Sequence, residues 1–309
     1  MTVPLLQSSG DFLADRRLAL AQEFLARDDL AAAHDLLTQA IEAAPGFIAA
    51  WFALGQLRDK FGKCEAAVAA FQQVCALDPE DRLGAGLHLV RLGALPPGDM
   101  PAAYVRTLFD QYAPRFETAL TRDLGYRGPQ ILLSAVKAAC ATEPRPAQFA
   151  DMLDLGCGTG LAGVAFRPRV ARLTGVDLSE RMVTAARAKG IYDRLDAGDL
   201  LPFLQGEARD GRRYDLIVAA DVFAYLAWLP GVVAAATRVL MPGGLLAFTT
   251  ETHAGDDVIL GGTLRYQHGT AHVRAAVTGA GLTMVSIAEE WARKETGVAV
   301  PGLMVVARL

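Results

Sequence analysis

The 309-residue chain has few lysines and cysteines, and each shortage excludes a class of protein. Only five lysines occur among 30 basic residues, and the formal net charge is −4, so no basic face for nucleic acid is expected. The four cysteines form neither a C-x-x-C pair nor a group with histidine. Disulfides and structural zinc are therefore not expected.

Long hydrophobic runs are also missing. The longest stretch without a charged residue, 222–237, has 16 residues and is interrupted by Pro230 and Gly231. A membrane-spanning helix needs about 20 apolar residues. The first ten residues have neither the basic nor the apolar part of a signal peptide, so we expect a cytoplasmic protein with no membrane partner. Buried parallel strands would explain why 52% of the chain is hydrophobic.

A glycine-rich turn is the most informative local feature. The apolar run 151–155 is followed by Gly156, Gly158 and Gly160, and a second apolar run ends on Asp177. In an open parallel sheet this order predicts a nucleoside cofactor, because bare backbone can approach the ligand and the acid can accept bonds from both ribose hydroxyls. Residues 158–163 also match the dinucleotide fingerprint G-x-G-x-x-G, so the surrounding sequence must decide between two cofactors.

Later strands decide in favour of one reading. Asp199 ends a third apolar run, residues 214–221 form a fourth ending in Asp221, and residues 238–248 read as a helix end, a Pro-Gly-Gly turn and a strand. With Asp154 inside the first strand, this order resembles the class I S-adenosylmethionine-dependent methyltransferases over residues 150–250. The resemblance implies an α/β, Rossmann-like, seven-stranded core that binds S-adenosylmethionine. It implies a cofactor site made of Asp154, Gly156, Cys157, Gly158, Gly160, Asp177, Leu178, Met182, Asp199, Leu200 and Ala219.

Residues 104–117 resemble the "FDxYAxxFD" helix that precedes the core in many small-molecule methyltransferases, with Glu117 in place of the usual aspartate. The resemblance implies that Tyr112 and Tyr104 touch the cofactor, where an aromatic face would favour a sulfonium by a cation–π contact. The alternative is an amphipathic helix that uses its aromatic residues as core. Pro114 is expected to end or kink this helix.

An internal repeat of 34 residues precedes the core. Its clearest markers are Pro45 and Pro79, and residues 13–80 resemble two tetratricopeptide repeats. We expect an all-α repeat domain at 1–95 with a capping helix at 83–92, a linker at 96–101, a helical lid segment at 102–149 and the methyltransferase core at 150–309. The repeats could recruit a protein, wall off a substrate pocket or join two subunits, and the sequence does not choose among these.

Candidates for chemistry lie where the fourth and fifth strands end. Transfer from a sulfonium needs an aligned nucleophile, and a base is needed only if that nucleophile carries a proton. The candidate catalytic residues are Asp221, Tyr225, His253 and His268. A carboxylate nucleophile would need no base, and Arg265 and Tyr266, with His268, would then position the substrate.

Histidines 268 and 272 stand four residues apart, which is a possible metal-binding spacing. A helix start predicted at Gly269 and Thr270 should turn the two rings apart, so no metal is expected. The carboxyl-terminal half resembles the bacterial tetratricopeptide-methyltransferase group and predicts a closing pair of strands near 282–288 and 302–307. We expect a methyltransferase with a small-molecule acceptor. A protein methyltransferase that recruits its substrate through the repeats and a non-catalytic scaffold are the alternatives.

Overall fold

The structure, a computed structural model, describes residues 8–120, 124–141 and 146–309. The chain divides into two compact units, Met1–Leu108 and Phe109–Leu309. The division falls inside a helix that follows the predicted linker at 96–101.

The first unit is helical. Its helices are α1 (Phe12–Ala26), α2 (Leu30–Ala43), α3 (Ile48–Lys60), α4 (Cys64–Leu77), α5 (Ala85–Arg91) and the start of α6 (Ala102–Tyr112). The side chains of Asp11 and Asp29 cap α1 and α2 by accepting backbone N–H bonds. Helices α3 and α4 approach closely because Gly55 faces the ring of Phe71, which a Cβ at position 55 would meet at 2.8 Å. The predicted helix pairs and capping helix are therefore present.

The second unit contains a mixed sheet. Its strands are β1 (Phe149–Leu155), β2 (Val170–Asp177), β3 (Arg194–Ala197), β4 (Tyr214–Ala219), β5 (Leu240–Glu251), β6 (Val258–Leu260), β7 (Tyr266–His268), β8 (Thr283–Glu290) and β11 (Gly302–Arg308). The main order is β3-β2-β1-β4-β5-β11-β8, and β11 runs antiparallel to both of its neighbours. This order confirms the Rossmann-like core and the closing strand pair. The short strands β6 and β7 beside β5, and a separate hairpin of β9 (Lys294–Glu295) and β10 (Val298–Ala299), were not predicted.

Helices cover both faces of this sheet. They are α8 (Gly128–Ala141), α9 (Leu161–Phe166), α10 (Glu180–Ala188), α11 (Leu200–Arg209), α12 (Leu229–Val239) and α13 (Thr270–Gly279), while the short helix α7 (Phe116–Thr118) lies before them in the chain. One hydrophobic core joins the sheet to α11, α12 and α13, and another joins it to α8 and α9. Burial on both sides explains the continuous apolar runs of the parallel strands. Because β1, β2, β4 and β5 are parallel, their carboxyl ends meet at one edge, where ligands of such sheets bind. Within the described ranges no helix is both long enough and apolar enough for a membrane span.

Candidate cofactor and acceptor site

The turn after β1 needs glycine for its backbone and for its surroundings. Gly156, Gly158 and Gly160 have φ values of 63°, 53° and 92°, a region that side chains disfavour. A Cβ at position 156 would also come within 2.5 Å of the side chain of Val222. Helix α9 begins directly after the turn, at Leu161. The three glycines thus give the tight strand-to-helix turn that the sequence predicted.

Asp177 at the end of β2 ties this turn to the next one. Its carboxylate accepts the backbone N–H of Gly158 at 2.8 Å and that of Ser179 at 2.9 Å. The residue is only 9% exposed, and burial raises its pKa while the two backbone bonds oppose the rise. A carboxylate has about four acceptor sites, so two remain for hydroxyl groups of a ligand.

Asp154 in β1 is buried beneath the same turn. It is 1% exposed, and its carboxyl group accepts a hydrogen bond of 2.6 Å from the hydroxyl of Tyr192. Burial raises the pKa of Asp154 to about 7, against the lowering effect of the Tyr192 bond. Sequence reasoning missed Tyr192, which lies 38 residues away in an irregular segment.

The other predicted cofactor residues surround this turn or follow β2, β3 and β4. Cys157 is buried and donates its backbone N–H to Val176. Asp199 is exposed after β3 and caps α11 by accepting the N–H of Leu201 at 3.3 Å. The remaining members are Leu178 and Leu200, which are half-buried, and Met182 and Ala219, which are fully buried. Their contact with a cofactor stays a prediction.

The lid helix is bonded to the residues that follow β2. Helix α6 ends at Tyr112 and gives way to a 3-10 turn at 113–115, so Pro114 ends the helix as predicted. Asp110 accepts a hydrogen bond from the hydroxyl of Ser179, and its carbonyl accepts one from Arg181 at 3.2 Å. The carboxyl end of α6 is therefore fixed next to the turn that follows Asp177.

Aromatic residues of the lid reach the glycine turn. The ring of Phe116 lies 3.6 Å from the place where a Cβ of Gly158 would stand, and it packs edge-on against Tyr112. This places Phe116, which the sequence did not single out, beside the turn. Tyr104 belongs to the first unit, where its ring lies against Gly84. The predicted contacts of Tyr112 and Tyr104 with the cofactor remain predictions.

An ionic network occupies the carboxyl ends of β4 and β5. Arg265 donates to the carboxylates of Asp221 and Glu251 and to the hydroxyl of Tyr225. Arg293 donates to the same Glu251 oxygen at 2.8 Å. Two guanidinium groups thus balance two carboxylates, and burial raises the pKa of Asp221 while Arg265 lowers it.

Asp221 has an unusual backbone for a residue with a side chain, with φ at +63°. Such backbone is found at functional sites, and here its N–H is held by the hydroxyl of Thr249 at 2.8 Å. A small cleft of about 10 Å³ adjoins the network, and its polar lining includes Asp221, Thr249, Thr250, Glu251, Glu290 and Arg293.

His268 lies inside the fold. Its ring is fully buried, Nε2 donates to the carbonyl of Leu226 at 2.9 Å, and Nδ1 therefore accepts from the Thr250 hydroxyl at 2.7 Å. Burial lowers the pKa of His268 to about 4, so the ring is neutral at pH 7. Both nitrogens are engaged by the protein, which does not favour the predicted role as a base. The neighbouring Tyr266 is also fully buried, in β7, and its predicted substrate contact stays a prediction.

The prediction that His268 and His272 turn apart was wrong. Their rings stack with centroids 5.6 Å apart and planes 29° apart, because β7 runs directly into α13 through Gly269 in extended backbone. In the described ranges, no group of three or more histidine, cysteine, aspartate or glutamate side chains is arranged to hold a metal ion.

His253 braces its own loop. Nδ1 accepts the backbone N–H of Gly255 at 3.1 Å, so Nε2 donates to the carbonyl of Asp257 at 2.9 Å. A catalytic role for His253 stays a prediction that this geometry does not favour.

Comparison with known proteins agrees with this architecture. Residues 153–246 match the family model described as a methyltransferase domain. Human "Methyltransferase-like protein 27" is 30% identical over 153 residues, which cover 48% of this chain and 58% of that protein. "Ubiquinone biosynthesis O-methyltransferase" of Coxiella burnetii is 25% identical over 47% of this chain and 65% of its own length. "Malonyl-[acyl-carrier protein] O-methyltransferase" of Enterobacter lignolyticus is 29% identical over 50% of this chain and 56% of its own length.

The chain therefore spans less than two thirds of the length of these relatives. Among solved structures, the [4+2]-cyclase SpnF superposes with a TM-score of 0.51 at 17% identity, covering 69% of this chain and 97% of that one, which shows the shared fold. Residues 153–246 are thus similar to methyltransferase domains.

Proposed function

We propose that this chain is an S-adenosylmethionine-dependent methyltransferase with a small-molecule acceptor that offers an oxygen or nitrogen nucleophile. The observation that carries the proposal is the Asp177 carboxylate. It is fixed by Gly158 and Ser179 beside a bare glycine turn, inside a matched methyltransferase domain. The site fits the cofactor because Asp177 keeps unused acceptor sites. The backbone at Gly158 is also accessible, since a Cβ added there would meet the Phe116 ring first, at 3.6 Å.

Bound S-adenosylmethionine supplies a methyl group already activated by a sulfonium. On the protein side, Asp177 would hold the ribose, the ionised form of Asp154 would place negative charge beneath the turn, and Phe116 would help to exclude water. The main catalytic task of the chain is alignment, with the nucleophile about 3–3.5 Å from the methyl carbon.

The acceptor is proposed to approach the carboxyl ends of β4 and β5 beside Asp221. Among the predicted catalytic residues, Asp221 and Tyr225 are favoured because they belong to the network at the carboxyl ends of β4 and β5, whereas His253 and His268 bond to the protein. In this arrangement Arg265 favours the charged form of Asp221 and orients its carboxylate. The similarity to the ubiquinone biosynthesis and malonyl-[acyl-carrier protein] O-methyltransferases supports a small acceptor group with an oxygen nucleophile.

The helical unit is proposed to be a tetratricopeptide repeat domain. Its two helix pairs, α1–α2 and α3–α4, and the small residue at Gly55 support this. Such a domain would serve the enzyme by recruiting a partner or joining subunits. If it instead recruits a polypeptide substrate, the chain is a protein methyltransferase.

The test uses the full chain, methyl-labelled S-adenosylmethionine and a lysate of the host, followed by separation of small molecules from polypeptides. Label in the small-molecule fraction, absent with Asp177→Ala, is the expected result. Label in polypeptide alone would replace the proposal by the protein methyltransferase. No label together with no binding of S-adenosylhomocysteine would favour a non-catalytic scaffold.

A further inference from the structure

Tyr192 fills a space that three glycines leave open. It lies between α10 and β3, and its ring or hydroxyl stands 2.3 Å from an added Cβ at Gly163, 2.7 Å at Gly175 and 3.0 Å at Gly160. These glycines belong to α9, to β2 and to the turn after β1. The ring thus packs against the three elements that shape the cofactor turn, where a methyl group on any of the three glycines would collide with it.

The Tyr192 hydroxyl also supports the buried acid of the site. It donates to Asp154 at 2.6 Å, and Asp154 is 1% exposed. A carboxylate buried this deeply is stable only when donors compensate the loss of water. The titratable groups that face Asp154 are Asp177 of β2, Cys157 of the turn and Tyr126 before α8, besides Tyr192 itself. Asp177 disfavours the charge on Asp154, whereas the Tyr192 bond favours it.

We propose that Tyr192 is a positioning residue of the cofactor site, which holds the Asp154 carboxylate under the glycine turn so that its charge acts on the sulfonium end of the cofactor. This inference rests on the proposed cofactor function. Tyr192 contacts the turn and the acid, not the reacting atoms. Its loss should therefore change the affinity for a positively charged cofactor and the pH at which that affinity falls.

The experiment measures the binding of S-adenosylmethionine and S-adenosylhomocysteine by calorimetry between pH 6 and pH 9, for the full chain and Tyr192→Phe. Phenylalanine keeps the ring but removes the donor, so Asp154 should take up a proton at a higher pH. We expect about fivefold weaker S-adenosylmethionine binding at pH 7, recovery at pH 9, and a pH midpoint about one unit higher. Binding of S-adenosylhomocysteine should change less, because its sulfur carries no charge.

Tyr214→Phe is the matched control. Tyr214 is also buried and also donates to a buried acid, Glu207, but it starts β4 at the opposite edge of the sheet. Arg194 still holds Glu207 in that variant. The cofactor affinity and its pH midpoint should match the unaltered chain. A loss in the control equal to that of Tyr192→Phe would overturn the proposal, because any buried tyrosine bond would then have the same effect.

The variant Asp154→Asn tests the same bond from its other side, so that the conclusion does not depend on how well Tyr192→Phe folds. It should bind S-adenosylmethionine with little pH dependence, and adding Tyr192→Phe should cause no further loss, because the two residues act through one bond. Additive losses would overturn the positioning role, as would an unchanged pH midpoint in Tyr192→Phe. If the unaltered chain bound neither ligand, the cofactor assignment itself would fail, which is a different outcome.

Discussion

Replacing Arg265 with methionine should strongly destabilise the larger unit. The guanidinium of Arg265 is buried and bonds to Asp221, Glu251 and Tyr225. Methionine has a similar length but no charge, so Asp221 would keep its burial and lose its partner. Glu251 would retain Arg293 alone.

The size of the effect follows from the burial of the network. Removing one partner of a buried ion pair costs about 3–5 kcal/mol, because the other charge remains without compensation. For a unit of this size a loss of 1 kcal/mol lowers the melting temperature by roughly 2–4 °C. We therefore expect a fall in the melting temperature of about 10 °C.

The assay must report on the larger unit alone. The chain has tryptophans at 51, 228 and 291, and a Trp51→Phe background leaves the two that lie in Phe109–Leu309. Thermal unfolding and urea unfolding, each followed by their fluorescence, then measure the effect of Arg265→Met. Arg172→Met is the control, because Arg172 pairs with Asp151 while its side chain is 69% exposed, and it should leave the midpoint nearly unchanged.

Two results would refute this reasoning. In one, Arg265→Met unfolds at the same urea concentration as the background. In the other, Arg172→Met is as damaging as Arg265→Met, which would mean that burial does not set the value of these ion pairs.

Three further predictions concern the turn, the buried histidine and the ribose acid. Gly156→Ala should abolish cofactor binding, since its Cβ would lie 2.5 Å from the side chain of Val222. Gly158→Ala has room for its Cβ and should lose only about 1 kcal/mol of stability to backbone strain. Calorimetry compares the binding of the two variants, and melting curves compare their stability. The pKa of His268 is about 4 in the fold and higher in the unfolded chain, so its stabilising effect is complete above pH 6.5 and lost as the pH falls toward 4. His268→Gln should therefore make the urea midpoint depend less on pH between 4 and 6.5. An unchanged dependence on pH would contradict this. Asp177→Asn should weaken S-adenosylhomocysteine binding about 10–100-fold, since an amide replaces the charged acceptor; calorimetry showing full affinity would contradict the ribose assignment.

The sequence predicted features that depend on neighbouring residues. The glycines at 156, 158 and 160 and the helix end at Pro114 can be read from a few adjacent positions, because backbone conformation is decided locally. The strand order was accessible through resemblance to a family whose motifs occur in the same sequence order.

Contacts between distant side chains could not be predicted in this way. Tyr192 meets Asp154 across 38 residues, and Arg265 meets Asp221 across 44. Neither pair has a spacing that marks it, since the sheet brings the partners together only after the strands are ordered. The error on His268 and His272 has a similar cause, because a predicted helix start does not fix the direction in which the preceding strand enters it.

The packing of Tyr192 against Gly160, Gly163 and Gly175 also constrains how this protein can evolve. An alanine at position 163 or 175 is blocked while the tyrosine is present, because its Cβ would lie under 3 Å from the tyrosine ring or hydroxyl. The tyrosine must therefore shrink before Gly163 can change, and Gly175 also requires Leu195 to move, because a Cβ there would lie 2.9 Å from its side chain. Descendants of this sequence should inherit the tyrosine and the glycines together or exchange them in that order.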